Sequence, residues 1–118
     1  MGVYIFLSIW EPIIKIGHYK GENAWFRIAP NRGFYSASPP SILGNRIYAN
    51  DFELCYWFPM LGPKDEKRLQ YKLDDYRISA EWFSSEALTL IPRMVPAENL
   101  AKTCSKEDAM NRFNHDHL

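Results

Sequence analysis

The sequence predicts one small domain of the mixed α/β (α+β) class, with a central, largely antiparallel three-stranded sheet flanked by helices. Three observations support this prediction. The 118 residues are 47% hydrophobic and 24% charged, as in an ordinary globular domain that buries one core. Three apolar runs, at residues 3–7, 13–17 and 52–58, contain the β-branched and aromatic residues typical of strands. The segments between and after these runs have the caps and the apolar spacing of helices.

The first two runs are predicted to form a hairpin, because only a short stretch around Glu11 and Pro12 separates them. Asn23 is a good N-cap for a short helix over residues 24–29, and Pro30 should end or kink that helix. The next twenty residues are rich in glycine, proline and asparagine, so we expect a long loop with room for one helical turn before the third strand.

The main predicted helix follows the third strand. It opens at Gly62 and Pro63, because proline is favoured at the first position of a helix. Leu69, Leu73 and Tyr76 recur at helical spacing and should form the side of this helix that faces the core.

The last third of the chain is predicted to contain only short elements. Residues 81–83 read as a short extended segment, and Ser84 or Ser85 should cap a brief helix that ends near Pro92. A further small helix is expected at residues 105–113. The predicted order of elements is therefore β-β-α-β-α-α.

The balance of charges excludes a strong overall attraction to nucleic acid or to anionic membranes. Fourteen Lys and Arg balance fourteen Asp and Glu, although residues 1–50 hold five basic against two acidic side chains. No apolar stretch is long enough to span a bilayer, and the N-terminal run lacks the features of a signal peptide. Cys55 and Cys104 have no metal-binding or redox spacing. We therefore expect an intracellular, cytoplasmic protein without a membrane partner.

Two short motifs, a single arginine and a pair of acidic residues follow one another along the chain. Residues 2–4 read G-V-Y on the first strand, and residues 15–17 read K-I-G on the second. Arg27 follows ten residues later, and Asp65 and Glu66 open the main helix. This set resembles the GIY-YIG nuclease superfamily, and in particular its phage and viral branch, whose second motif reads K-I-G with Lys in place of the usual Tyr.

The C-terminal half adds to this resemblance. Residues 66–70 read E-K-R-L-Q and are similar to the E-x-x-L-H of that branch, and residues 77–83 read R-I-S-A-E-W-F, similar to its R-x-x-G-E-W-F. Two positions differ, since Gln70 replaces the His of the first motif and Ala80 the Gly of the second. Gln does not take up and release a proton at neutral pH as His can. The resemblance therefore does not imply a proton-transfer role at this position.

The resemblance covers about residues 2–91. It implies a GIY-YIG-like domain at residues 1–91, followed by a C-terminal extension at residues 92–118. Nucleases of this superfamily often gain specificity from an attached DNA-binding domain, for which this chain leaves no space. The implied partner is DNA. Without such a domain, the chain is expected to cut with little sequence preference, to act on branched or modified DNA, or to rely on a partner protein for specificity.

The activity implied by the resemblance is metal-dependent endonuclease hydrolysis of DNA phosphodiester bonds. Glu66 would hold one Mg²⁺ or Mn²⁺ ion, because hard oxygen ligands suit these cations. Tyr4 would orient or deprotonate the attacking water, and Arg27 would clamp the scissile phosphate with its planar donor fork. The same pocket would be lined by three further residues, Lys15, His18 and Tyr19.

Each of these residues also has a purely structural interpretation. Asp65 and Glu66 occupy a first helical turn, where acidic side chains are stabilising, and helical spacing does not choose between them. Tyr4 can be an ordinary strand aromatic, and Arg27 can be an exposed helix residue that covers a neighbouring ring. The alternative function is a catalytically weak or inactive DNA-binding or protein-interaction module on the same fold.

Other chemistry-bearing residues are assigned structural roles. Arg77 and Glu81 are expected to form a structural pair or a turn contact, while Trp82 and Phe83 are expected in the core. A metal site in the terminal H-D-H at residues 115–117 is not expected, because a chain end supplies no enclosed geometry. Stacking on unpaired bases lacks the support of an RNP-like pattern or a basic groove. The aromatic residues considered for such stacking are Trp10, Tyr35, Tyr48 and Trp57.

Overall fold

The predicted hairpin forms the centre of the sheet in the computed structural model of the chain, which describes residues 1–28, 33–96 and 101–116. Strand β1 spans Gly2–Ser8 and β2 spans Ile13–Tyr19, and in their antiparallel register Tyr4 is paired with Gly17. The predicted effect of Pro30 lies outside the described residues. So do the side chains of the terminal H-D-H.

The sheet has five strands rather than the three predicted from the apolar runs. Strand β3, Phe52–Phe58, pairs antiparallel with β1, as expected for the third run. Two further strands, β4 at Arg77–Ser79 and β5 at Trp82–Ser84, form a short hairpin whose second strand pairs with β2. The order across the antiparallel sheet is β3-β1-β2-β5-β4. Strands of three residues are too short for a periodic pattern, so their pairing is visible only in three dimensions.

The main helix is present and begins where proline predicts, but it ends before Tyr76, which lies in a separate 3₁₀ turn at Asp74–Tyr76. Helix α1 spans Pro63–Lys72, followed by a short α2 at Ile91–Met94 and by α3 at Lys106–Asp116. Ser84 caps a 3₁₀ turn at Ser85–Thr89, where one continuous brief helix was expected. None of the helices in the described part of the chain combines the length and apolarity that a membrane crossing requires.

The predicted helix after Asn23 is a single 3₁₀ turn at Ala24–Arg27. Asn23 does cap it, because its side-chain oxygen accepts a hydrogen bond from the Trp25 backbone N–H at 3.0 Å. The loop that follows contains more local structure than predicted, since its described residues form three 3₁₀ turns. They are Tyr35–Ala37, Ser41–Leu43 and Ala49–Asp51.

The two faces of the sheet carry separate apolar layers, because side chains alternate along each strand. Tyr4 contributes to one layer together with Phe34 and Trp82, and we call this the Phe34 layer. Ile16 contributes to the opposite layer, where Leu69 of α1 packs, and we call this the α1 layer. Trp82 and Phe83 are fully buried, as predicted, and belong to opposite layers.

One edge of β2 remains partly open. Strand β5 pairs only with Ile13, Ile14 and Lys15, so the second half of β2 continues beyond it. At the point where the pairing ends, the Ile16 backbone N–H donates to the Glu81 carbonyl at 3.0 Å. Residues of β2 that belong to the two different layers therefore lie at the same open edge of this strand.

Candidate active site

The Tyr4 hydroxyl and the Lys15 ammonium lie next to each other in the Phe34 layer. Lys15 Nζ donates to the Tyr4 hydroxyl at 3.1 Å and to Glu81 Oε1 at 3.0 Å. Tyr4 and Lys15 are each only 1% exposed. A buried ammonium requires a counter-ion, and Glu81 supplies it.

Gly17 leaves the space that the Tyr4 hydroxyl occupies. A Cβ at this position would collide with that hydroxyl and would lie 2.9 Å from Lys15 Nζ. The last residue of the K-I-G motif is therefore required by close packing across the β1–β2 pair.

Helical spacing alone does not distinguish Asp65 from Glu66, but their contacts in the first turn of α1 do. The Asp65 carboxylate accepts a hydrogen bond from the Gly62 backbone N–H at 2.8 Å, so Asp65 stabilises the start of the helix. Glu66 points inward instead and is 1% exposed. The buried acid available for chemistry is consequently Glu66.

The Glu66 carboxyl is held by residues on both sides. His18 Nδ1 forms a hydrogen bond with Glu66 Oε2, and Gln70 Nε2 lies 3.3 Å from Oε1. The exposed Lys67 ammonium lies 3.7 Å from Oε1. The His18 side chain is 44% exposed, so this residue connects the buried carboxyl to the surface.

Gln70, which stands where the resemblance expects His, joins the two halves of the site. Its Nε2 lies 2.9 Å from the Ile16 carbonyl, 3.3 Å from Glu66 Oε1 and 3.2 Å from Glu81 Oε2. A continuous series of contacts therefore runs around the open edge of β2, and we call it the edge network. Its members in order are Tyr4, Lys15, Glu81, Gln70, Glu66 and His18.

The two carboxyl groups of the edge network ionise differently. Burial raises the pKa of the Glu66 carboxyl above its ordinary value, and the charge of Glu81 adds to the rise, while the hydrogen bond with His18 opposes it. Burial also disfavours the charged form of Glu81, but the charge and the hydrogen bond of Lys15 outweigh it and hold the pKa of Glu81 below its ordinary value. Glu66 is thus the member that takes up a proton more readily.

The β4–β5 turn positions Glu81. Arg77 Nε donates to Asp74 Oδ1 at 2.6 Å, and its guanidinium also bonds the Ala80 carbonyl in the turn. Arg77 therefore makes the predicted turn contact. The predicted structural pair of Arg77 with Glu81 does not form, because Glu81 pairs with Lys15 instead.

Arg27 approaches the Phe34 layer but does not join the edge network. Its Nη1 donates to the Gly33 carbonyl at 3.3 Å, and its Cζ lies 5.1 Å from the centre of the Phe34 ring. Lys15 Nζ lies 5.5 Å from the same ring centre. Two cations thus share one buried ring, which places Arg27 beside the network without a direct hydrogen bond to it.

Tyr19 is the predicted site residue least connected to the others. It is partly buried against the Phe34 layer, and its ring covers Gly21. The hydrogen bonds of the described residues connect neither Tyr19 nor Arg27 to Glu66. The structure therefore brings together Tyr4, Lys15, His18 and Glu66 and leaves two predicted residues outside the network.

Sequence reasoning did not assign Gln70 and Glu81 to the site. Gln70 follows Glu66 by one helical turn, a spacing that puts both on one side of α1. Glu81 directly precedes Trp82, which pairs with Lys15, but this pairing joins segments far apart in the chain. The spacing of Glu66 and Gln70 was available in the sequence, and the pairing of Trp82 with Lys15 was not.

The described residues contain no group of three or more His, Cys, Asp or Glu arranged to hold a metal ion. The carboxylate oxygens that the edge network offers belong to Glu66 and Glu81. Comparisons of the chain with protein-family models, with curated proteins and with solved structures found no match. The chemistry of the edge network is therefore the basis on which a function can be assigned.

Proposed function

We propose that this protein is a metal-dependent endonuclease that hydrolyses DNA phosphodiester bonds, of the type that its motifs resemble. One observation carries the proposal. Four of the six residues to which the resemblance assigns roles belong to a single hydrogen-bonded network at the open edge of β2. They are Tyr4, Lys15, His18 and Glu66.

Hydrolysis of a phosphodiester needs an oriented water, and the Tyr4 hydroxyl is suited to provide the orientation. Because Lys15 donates to the Tyr4 oxygen, that oxygen keeps its own O–H for a second partner. The same ammonium stabilises negative charge that develops on the Tyr4 oxygen when a proton is withdrawn. Glu81 keeps the ammonium in this position at 3.0 Å.

The donors of the site fit Mg²⁺ or Mn²⁺. Mg²⁺ in nucleotide and phosphate sites keeps several waters and uses only one or two carboxylates, so a three-residue ligand set is not required. Glu66 would hold the cation, and the partly exposed His18 ring that now contacts its carboxyl lies at the same place. When bound, the cation supplies positive charge to the phosphate and its leaving oxygen.

His18 and Arg27 complete the proposed set. The exposed His18 ring can accept a proton or contact a phosphate at the surface of the site. Arg27 offers a planar set of donors, of which Nη1 is oriented by the Gly33 carbonyl. Its position beside the Phe34 ring supports a role in holding the substrate rather than in activating the water.

A second candidate function is a DNA-binding module that does not cleave. The specific observation in its favour is the burial of Tyr4 and Lys15, each 1% exposed, together with the pairing of Lys15 with Glu81. A network closed in this way also serves to stabilise the fold.

Cleavage of supercoiled plasmid and of branched DNA, each with Mg²⁺, with Mn²⁺ and with EDTA, tests the proposal. The informative variant is Glu66→Gln, which preserves the shape of the side chain and removes its charge. The control is Glu53→Gln, an exposed acid on β3 away from the edge network. We expect cutting that needs the metal, is lost in Glu66→Gln and is kept in Glu53→Gln. Binding without cutting under all conditions would establish the second candidate instead.

A further inference from the structure

A second feature of the structure is an open cavity of about 460 Å³ that Arg27 lines. Its described lining consists of Arg27, Gly33, Tyr35 and Ser36. The volume lies in the usual range for cavities that bind small molecules or single residues of a polymer. The lining combines a guanidinium, an aromatic ring and a hydroxyl.

The aromatic wall of this cavity is held in place although it is exposed. Tyr35 is 62% exposed, and its ring packs edge-to-face against Tyr48, with the ring centres 5.7 Å apart. The segment that carries it is anchored, because the Phe34 backbone N–H donates to the Ile47 carbonyl at 3.0 Å. An exposed, oriented aromatic face is the feature on which a nucleic-acid base stacks.

Among the described residues, the other exposed aromatic side chains do not present the same combination. Trp10 is 51% exposed, but its Nε1 donates to Asp51 at 2.9 Å and the Arg46 guanidinium lies over its ring at 4.4 Å. Tyr71 is 81% exposed, but it stands on α1 and does not line this cavity. In Tyr35 an accessible ring lines the same cavity as a guanidinium that also lies over the Phe34 ring.

We propose that this cavity receives one unpaired nucleotide of the substrate, with its base on the Tyr35 ring and its phosphate at the Arg27 guanidinium. This inference rests on the proposed action on DNA and specifies the substrate class. A base inside a duplex has both faces stacked, so only a single-stranded, branched or frayed segment can present a face to Tyr35. The substrate is therefore DNA with unpaired nucleotides next to the cleaved bond.

Binding in EDTA tests the cavity independently of cleavage. Fluorescence anisotropy would compare a labelled single-stranded oligonucleotide with the duplex of the same sequence, on the full chain and on three variants. We expect tighter binding of the single strand and a loss of about 10-fold in Tyr35→Ala, the size expected when one stacked base is lost. Tyr35→Phe should retain the affinity because it keeps the ring face. Tyr71→Ala is the matched control for removing an exposed tyrosine.

The outcomes separate this inference from the proposed nuclease activity. Equal affinity for single strand and duplex, or an unchanged affinity in Tyr35→Ala, overturns the cavity assignment even if the protein cuts DNA. Binding of the single strand that depends on Tyr35 supports the cavity even if no cutting is found, in which case the nuclease proposal alone fails. A 2-aminopurine base in the oligonucleotide supplies a second readout, because its fluorescence should be quenched by stacking in the parent protein and in Tyr35→Phe but not in Tyr35→Ala.

Discussion

Lys15 Nζ lies 3.0 Å from Glu81 Oε1, and the two side chains differ sharply in exposure, at 1% and 32%. Removing either partner should therefore have unequal effects. Glu81→Gln leaves a buried ammonium without its counter-ion, and we expect the free energy of unfolding to fall by about 2 kcal/mol. Lys15→Met leaves a carboxylate that water can reach, and we expect a loss of about 1 kcal/mol or less. Urea unfolding at neutral pH measures both.

The double variant Lys15→Met/Glu81→Gln is the control for this prediction. It removes both charges, so most of the loss seen in Glu81→Gln should be recovered. Equal losses in the two single variants, or no recovery in the double variant, would show that the ion pair between Lys15 and Glu81 does not stabilise the fold.

Burial of Glu66 predicts a conflict between stability and function. Its folded-state pKa is raised, chiefly by burial, so its favourable contribution is present below the ordinary pKa of Glu, about 4.3, and is lost as the pH rises through the raised value. Glu66→Gln cannot ionise and should be more stable than the parent at neutral pH, although it should not cut DNA. The difference should disappear in acid. Urea unfolding midpoints of the two proteins in EDTA, between about pH 4 and pH 8, would measure it. A parent protein as stable as the variant at neutral pH would contradict the prediction.

The parts of the fold that the sequence predicts are those in which local pattern and tertiary partner agree. The apolar runs form β1, β2 and β3 and contribute to both buried layers, and Pro63 begins α1 as expected. The helix expected after Asn23 is one 3₁₀ turn instead. The extended segment expected at residues 81–83 is confirmed as β5, but its pairing with β2 and the pairing of β4 with β5 are not contained in a local pattern.

The site divides in the same way. The sequence motifs already show three parts of the site. They are the tyrosine of β1, the K-I-G of β2 and the two acidic residues of α1. The choice of Glu66 over Asp65 depends on which carboxylate reaches the Gly62 backbone, because both lie equally far from the apolar side of α1. Glu81 enters through a contact with Lys15 across a sequence separation of 66 residues, so only the folded chain brings it into the site.

The backbone at Ala80 predicts a stabilising substitution. Its φ is 49°, in the left-handed region that is unfavourable for a residue with a Cβ. Glycine has no such cost, although it gains entropy in the unfolded chain, so Ala80→Gly should raise the free energy of unfolding by about 0.5 kcal/mol. The opposite sign is expected for Ala87→Gly, a buried position without positive φ, which should lose about 1 kcal/mol. Urea unfolding of both variants checks the pair, and a loss of stability in Ala80→Gly would contradict the prediction.

Gly17 should tolerate alanine poorly. The new Cβ would occupy the space of the Tyr4 hydroxyl and press on the Lys15 ammonium, and neither side chain can move freely because both are 1% exposed. We expect Gly17→Ala to cost about 1–3 kcal/mol of stability, as overpacking of a filled core does. If Tyr4 serves the reaction, cleavage should fall further than the remaining folded fraction accounts for, because the hydroxyl is displaced.

The matched control is Gly62→Ala. The nearest atom to a Cβ there is Met1 Sδ at 3.5 Å, an ordinary contact, and the φ of −114° is acceptable for alanine. Its stability should stay within about 0.5 kcal/mol of the parent, since the loss of a glycine from the helix start is offset by the smaller entropy of the unfolded chain. Urea unfolding gives the stabilities, and plasmid cleavage at a temperature where each variant is fully folded gives the activities. A Gly17→Ala protein that is as stable and as active as Gly62→Ala would show that the close approach of Gly17 to Tyr4 constrains neither the fold nor the site.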